Sequence, residues 1–143
     1  MTAANFNLLA RRWLYTTLAT DETILDTVAE VNEFPSPQDA TYPVLTWSTD
    51  SPFKGSYGNS EETLHATGTM LVRVVDKTGS YESLDVVVSR IIELLDNVNN
   101  AHINGGGVVL TSRWLRSYDL PSLYDGVEYR ALGAIFRIRI QAS

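Results

Sequence analysis

The sequence predicts an α+β fold: one mainly antiparallel sheet with two principal helices packed on one face. Two segments repeat apolar residues at helical spacing, and several others alternate apolar and polar residues with period two. The elements come in the order helix, strands, helix, strands, and half-apolar strands beside two apolar stripes fit a sheet covered on one side. At 143 residues the chain has the size of one domain, taken as residues 1–143. A chain of this length buries roughly two-thirds of the surface its unfolded form exposes, so it needs no disulfide or metal to fold.

The first helix is expected from about Asn5 to Leu18. Phe6, Leu9, Trp13, Leu14 and Leu18 form its apolar stripe, and Asn5 or Asn7 is its candidate cap. A shorter helical segment is expected over Glu22 to Ala29, with Asp21 as cap and Ile24, Leu25 and Val28 on one face. A weak strand covers Glu30 to Phe34 before Pro35 and Pro37 break the chain. The next runs from Pro43 to about Thr49, where Val44, Thr46 and Ser48 alternate with Leu45 and Trp47. Pro43 takes the first position, where its missing N–H is tolerated.

Asp50 to Glu62 reads DSPFKGSYGNSEE and shows no period. It is expected to be a long loop, and long loops on compact domains tend to carry function. Thr63 to Val75 alternates Leu64, Ala66, Gly68, Met70, Val72 and Val74 with His65, Thr67, Thr69, Leu71 and Arg73, as a half-buried strand does. The main helix follows. Ser80 is its expected cap, and Leu84, Val87, Val88, Ile91, Leu94, Leu95 and Val98 form its stripe. Asn99 to Gly107 reads as a connector. Strands are then expected over Val108 to Tyr118 and Glu128 to Gln141, linked by a loop with Pro121, Asp125 and Gly126. The sheet face away from the helices would carry Thr69, Arg73, Arg137 and Arg139 beside Leu71, Val75 and Ile135, a mixed surface of the kind partners use.

Composition narrows the function. There is no cysteine, which excludes disulfides, thiolate zinc sites and a thiol nucleophile. The apolar runs are far shorter than a membrane span, and no signal peptide is expected. A net charge of −6 argues against broad binding to a nucleic-acid backbone. The charge is uneven: residues 1–50 carry −5, residues 51–100 carry −3 and residues 101–143 carry +2. An acidic front and a basic tail can meet within one fold or between subunits, where complementary charge fixes register.

No catalytic pattern emerges. His65 stands three residues after Glu62, on the opposite strand face, so the two do not share a metal. His102 lies among asparagines with no patterned partner. Gly105-Gly106-Gly107 precedes a strand instead of opening a helix, so it reads as a turn and not a phosphate cradle. The serines form no nucleophile elbow. Trp13, Trp47 and Trp114 fit core or subunit-interface packing. No cofactor or metal is expected.

Several segments carry a family resemblance: the opening helix FNLLARRWLYTTLAT, the proline-entered strand YPVLTWSTD, the strand-to-helix stretch LHATGTMLVRVVDKTGSYESLDVVVSRIIELLDN, and the closing strands VVLTSRWLRSYD and EYRALGAIFRIRIQ. Together they span nearly the whole chain and resemble the tail-terminator, or tail-completion, proteins of siphophages. The resemblance implies a virion protein of the neck, assembled in the host cytoplasm and without catalytic residues. It implies a hexameric ring at the head-proximal end of the tail tube. The ring would stop tube polymerisation, meet the tail tube protein and the head-closure connector, and let DNA pass through its lumen without specific binding. Phe53, Lys54 and Tyr57 on the long loop are candidate contacts to tube or connector. Arg73, Arg137 and Arg139 are candidate contacts between subunits. The alternatives are another ring of the neck, a head-closure or adaptor protein, and a small ligand-binding α+β domain, which would need a pocket with convergent polar groups.

Overall fold

A computed structural model describes residues 3–33, 42–57, 63–77, 81–124 and 127–142. Along the chain come α1 (Ala3–Leu18), α2 (Glu22–Thr27), β1 (Glu30–Glu33), β2 (Val44–Tyr57), β3 (Thr63–Asp76), α3 (Tyr81–Leu95), β4 (Val98–His102), β5 (Val108–Tyr124) and β6 (Val127–Gln141). The six strands make one sheet in the order β1-β2-β3-β6-β5-β4. Each neighbouring pair is antiparallel except β1, which runs parallel to β2. The α+β prediction holds, with the sheet made mixed by one short edge strand.

One face of the sheet is the core. Ala66, Met70, Val72 and Val74 of β3 and Leu132, Ala134, Phe136, Ile138 and Ile140 of β6 alternate onto it. Phe6, Leu9, Trp13, Leu14 and Leu18 of α1 cover part of that face, and Leu84, Val87, Ile91 and Leu95 of α3 cover the rest. The stripes read from the sequence are therefore the buried faces of both helices. α2 packs on α3 and is capped as expected, the Asp21 carboxylate accepting from the Ile24 N–H at 3.2 Å.

The element ends differ from the expectation in ways the backbone explains. α1 already includes Ala3, so neither Asn5 nor Asn7 caps it. α2 stops at Thr27, and Leu25 points outward while Ile24 and Val28 are buried. The Pro43 carbonyl accepts from Ala29 N–H at 2.8 Å, drawing the chain into β1 beside β2. α3 ends at Leu95 instead of running to Val98, because Asn97 turns left-handed with φ 55°, a conformation asparagine tolerates. Val98 then opens β4 within the stretch expected to be a connector. The glycine turn is as read: φ is 95°, 120° and 90° at Gly105, Gly106 and Gly107, and Ile103 and Gly107 close it with an N–H···O bond of 3.0 Å. β5 continues past Tyr118 to Tyr124, through Pro121. Phe34, Pro35, Pro37, Ser80, Asp125 and Gly126 lie outside the described residues.

The largest correction concerns Asp50 to Glu62. β2 does not stop at Thr49 but stays paired with β3 through Tyr57; residues 58–62 lie outside the described part. Ser51 pairs with Thr69 and Lys54 with Thr67, so Pro52 and Phe53 together oppose the single Gly68. This is a two-against-one bulge. It turns Phe53 inward, where it is 4% exposed and lies over Gly68, whose missing Cβ would sit 2.8 Å from the Phe53 ring.

Candidate interaction surface

The sheet face turned away from the helices collects cations from four strands. Register sets them in rows. Lys54 lies beside Thr67, Arg139 and Thr111; Thr69 beside Arg137 and Arg113; Leu71 beside Ile135 and Arg116; Arg73 beside Gly133 and Tyr118. Lys54, Arg73, Arg113, Arg116, Arg137 and Arg139 are six of the chain's 11 basic residues. No described acidic residue of β3, β5 or β6 falls on this face by register. The nearby Asp50 carboxylate is engaged by the Thr69 hydroxyl at 3.0 Å, and that oxygen accepts from the Ser51 N–H at 2.8 Å.

Arg137, Arg139, Lys54 and Arg116 are exposed, while Arg73 and Arg113 are half-buried. Arg113 is held by the Val98 carbonyl at 3.0 Å, the Ser112 carbonyl at 2.9 Å and the Asn99 side-chain oxygen at 3.0 Å. Arg139 packs against His65, its Nη2 3.0 Å from Nε2 of the ring. At the far end the Tyr118 hydroxyl lies over Gly133, 2.6 Å from where a Cβ would be. Burial raises the Tyr118 pKa, and the neighbouring Arg73 charge acts against that rise.

The predicted contacts thus divide. Arg137 and Arg139 share one exposed surface, with Arg73 half-buried on the same face. Of the three loop candidates, Phe53 is a core residue and cannot greet a partner. Lys54 belongs to the cationic sheet face, and Tyr57 ends β2 opposite Thr63. Arg113 and Arg116 escaped the sequence reading. Three positions apart, they belong on opposite strand faces by simple alternation. A register shift between Trp114 and Arg116 brings both to the same side.

On the far side of the domain, α2 and α3 present acids. Glu22, Asp26, Glu82, Asp85 and Glu93 are exposed, and Val86 lies among those of α3, itself 53% exposed. Arg90 stands within this patch, paired to Asp21 at 2.8 Å and Glu93 at 2.9 Å. Hydrogen bonds from Arg90, with help from the Ile24 N–H, hold the Asp21 carboxyl below the usual carboxylate value.

A cleft of about 530 Å³ opens between α1 and the β1–β2 edge, lined by Leu8, Arg11, Arg12, Tyr15, Val31 and Trp47 among others. Tyr15 meets Trp47 edge-on at 6.3 Å. Among the described residues no group of His, Asp and Glu converges as a metal site, and no helix is long and apolar enough to cross a membrane.

No protein-family model matches the chain, and no curated protein does. Among solved structures, a chain from "Virion of native gene transfer agent (GTA) particle" shares the fold. Its TM-score is 0.68 at 14% identity, over 93% of this chain and 97% of that one.

Proposed function

We propose that this chain is a structural protein of a tailed, phage-like virion, and within that class a tail terminator. It forms a ring at the head-proximal end of the tail tube, stops tube growth and joins tail to head. The observation that carries this reading is the near end-to-end likeness in fold to a chain of a gene transfer agent virion. The chain segments that resemble siphophage tail-completion proteins support it independently. The open cationic sheet face and the acidic helix face are compatible with assembly through two different surfaces. On this reading the protein is not an enzyme, its partners are its own copies, the tube protein and the connector, and DNA passes without specific binding.

The test is to disrupt the gene in the particle that encodes it and image the products by negative stain. Filled heads beside separate tails of uncontrolled length are the expected result, because only a terminator couples tube length to joining. Normal-length tails beside unjoined or leaking heads would instead assign a head-closure or adaptor role.

A further inference from the structure

We infer that the cationic sheet face of one copy docks on the acidic α2–α3 face of the next copy, a head-to-tail contact that uses two different surfaces of each subunit. This rests on the self-assembly reading above and adds which faces meet.

The cations are available for it. Lys54, Arg116, Arg137 and Arg139 form no ion pair with a described residue. A cluster of like charges on one rigid sheet is uncomfortable alone and favours an oppositely charged cover. The same chain offers that cover. Six cations gather on the sheet face, while Glu22, Asp26, Glu82, Asp85 and Glu93 are exposed on α2 and α3. The acids on α2 and α3 surround two exposed aliphatic side chains, Val86 at 53% and Leu25 at 48%. The sheet supplies apolar area in the half-buried Leu71, beside Ile135 in the same row. An apolar centre with a charged rim is the usual anatomy of a protein contact.

Charge also selects the symmetry. A two-fold pairing of sheet face on sheet face, or helix face on helix face, sets like charges against each other and is disfavoured. Sheet face on helix face satisfies both. Such a contact leaves one unused face at each end of a pair, so it propagates until a ring closes. A nucleic-acid backbone is the weaker occupant, since a chain of net charge −6 repels a polyanion longer than the patch.

Two variants test this. Arg137→Glu with Arg139→Glu makes the sheet face acidic, and Glu82→Lys with Asp85→Lys makes the helix face basic. All four positions are exposed, so folding, checked by circular dichroism, is retained. Mass is read by light scattering on a sizing column at low salt. The wild type is expected to assemble, and each variant alone to assemble at least about tenfold more weakly. An equimolar mixture should regain assembly, because the acidic sheet face of the first variant complements the basic helix face of the second, and their two native faces complement each other. Such a ring alternates its subunits and closes only with an even number. Variants that assemble alone like wild type, or a mixture that stays monomeric, would overturn the pairing and leave the ring reading standing. A wild type monomeric at every concentration would overturn both. If the sheet-face variant loses retention on duplex DNA while self-association is unchanged, the face belongs to nucleic acid and the proposal fails.

Discussion

Gly68 and Phe53 should behave as one unit. A methyl group on Gly68 would lie 2.8 Å from Cγ of Phe53, about 0.6 Å inside the 3.4 Å at which ordinary contact begins. The ring sits in the core, so it cannot swing away freely. Gly68→Ala should therefore cost about 1–3 kcal/mol, as overpacking does. Phe53→Ala should cost about 3–5 kcal/mol through lost burial and the cavity it leaves. In the Phe53→Ala background the clash is gone. There Gly68→Ala should become stabilising by about 0.5–1 kcal/mol, since glycine is a poor strand residue. The coupling between the two positions is then about 2–3 kcal/mol. Urea melts of the four proteins at one concentration would measure it. With a slope of about 2 kcal/mol per molar, the midpoint should move by roughly 1 M between backgrounds, in opposite directions. If Gly68→Ala shifts the midpoint equally with and without Phe53, the ring does not lie over Gly68 and the bulge is wrong.

Other substitutions probe other parts of the fold. Asp21→Ala removes a cap and frees Arg90, and should lower stability at neutral pH by about 1 kcal/mol. Because the folded-state pKa of Asp21 is depressed, its contribution is present above the ordinary value of 3.8 and fades as pH falls through the lower folded value. Melts of wild type and variant should therefore converge in acid. Gly133→Ala would press a Cβ to 2.6 Å from the Val72 carbonyl and the Tyr118 hydroxyl. It should cost about 1–3 kcal/mol, seen as a melting temperature lower by several degrees. Gly106→Ala, at φ 120°, should cost about 1–2 kcal/mol from backbone strain alone, because a side chain there occupies a disfavoured conformation; thermal melting checks it.

Much of the architecture was legible because burial enforces periodicity. Phe6, Leu9 and Trp13 had to share a helix face, and Ile138 and Ile140 had to share a strand face, for either to reach the core. What escaped was written in places where periodicity fails. Phe53 looked like a loop residue because alternation is broken between Thr49 and Ser51 and again between Ser51 and Lys54. Arg113 and Arg116 looked opposed for the same reason. β4 was missed because asparagine is depleted in strands and Asn97 and Asn100 adopt positive φ of 55°. Arg137 and Arg139 were legible as a pair because no irregularity interrupts β6 between them. The acidic side of α2 and α3 was invisible as a surface, since its residues come from two elements brought together only by the fold.

The bulges have one more consequence, for the life of the free subunit. β1 shields the outer edge of β2 only from Val44 to Trp47, and β4 shields that of β5 only from Val108 to Ser112. Beyond those points no described strand pairs with either outer edge, though the Asp96 carboxylate accepts from the Trp114 N–H of β5 at 2.9 Å; an unpaired strand edge invites runaway pairing with another chain. The unshielded stretch of β2 holds Pro52 and the kink around it; that of β5 holds Pro121 and the register slip before Arg116. A missing donor and a twisted rail make poor templates for a new strand. Edge-to-edge pairing is thereby disfavoured, which leaves association to the faces, where side chains choose the partner.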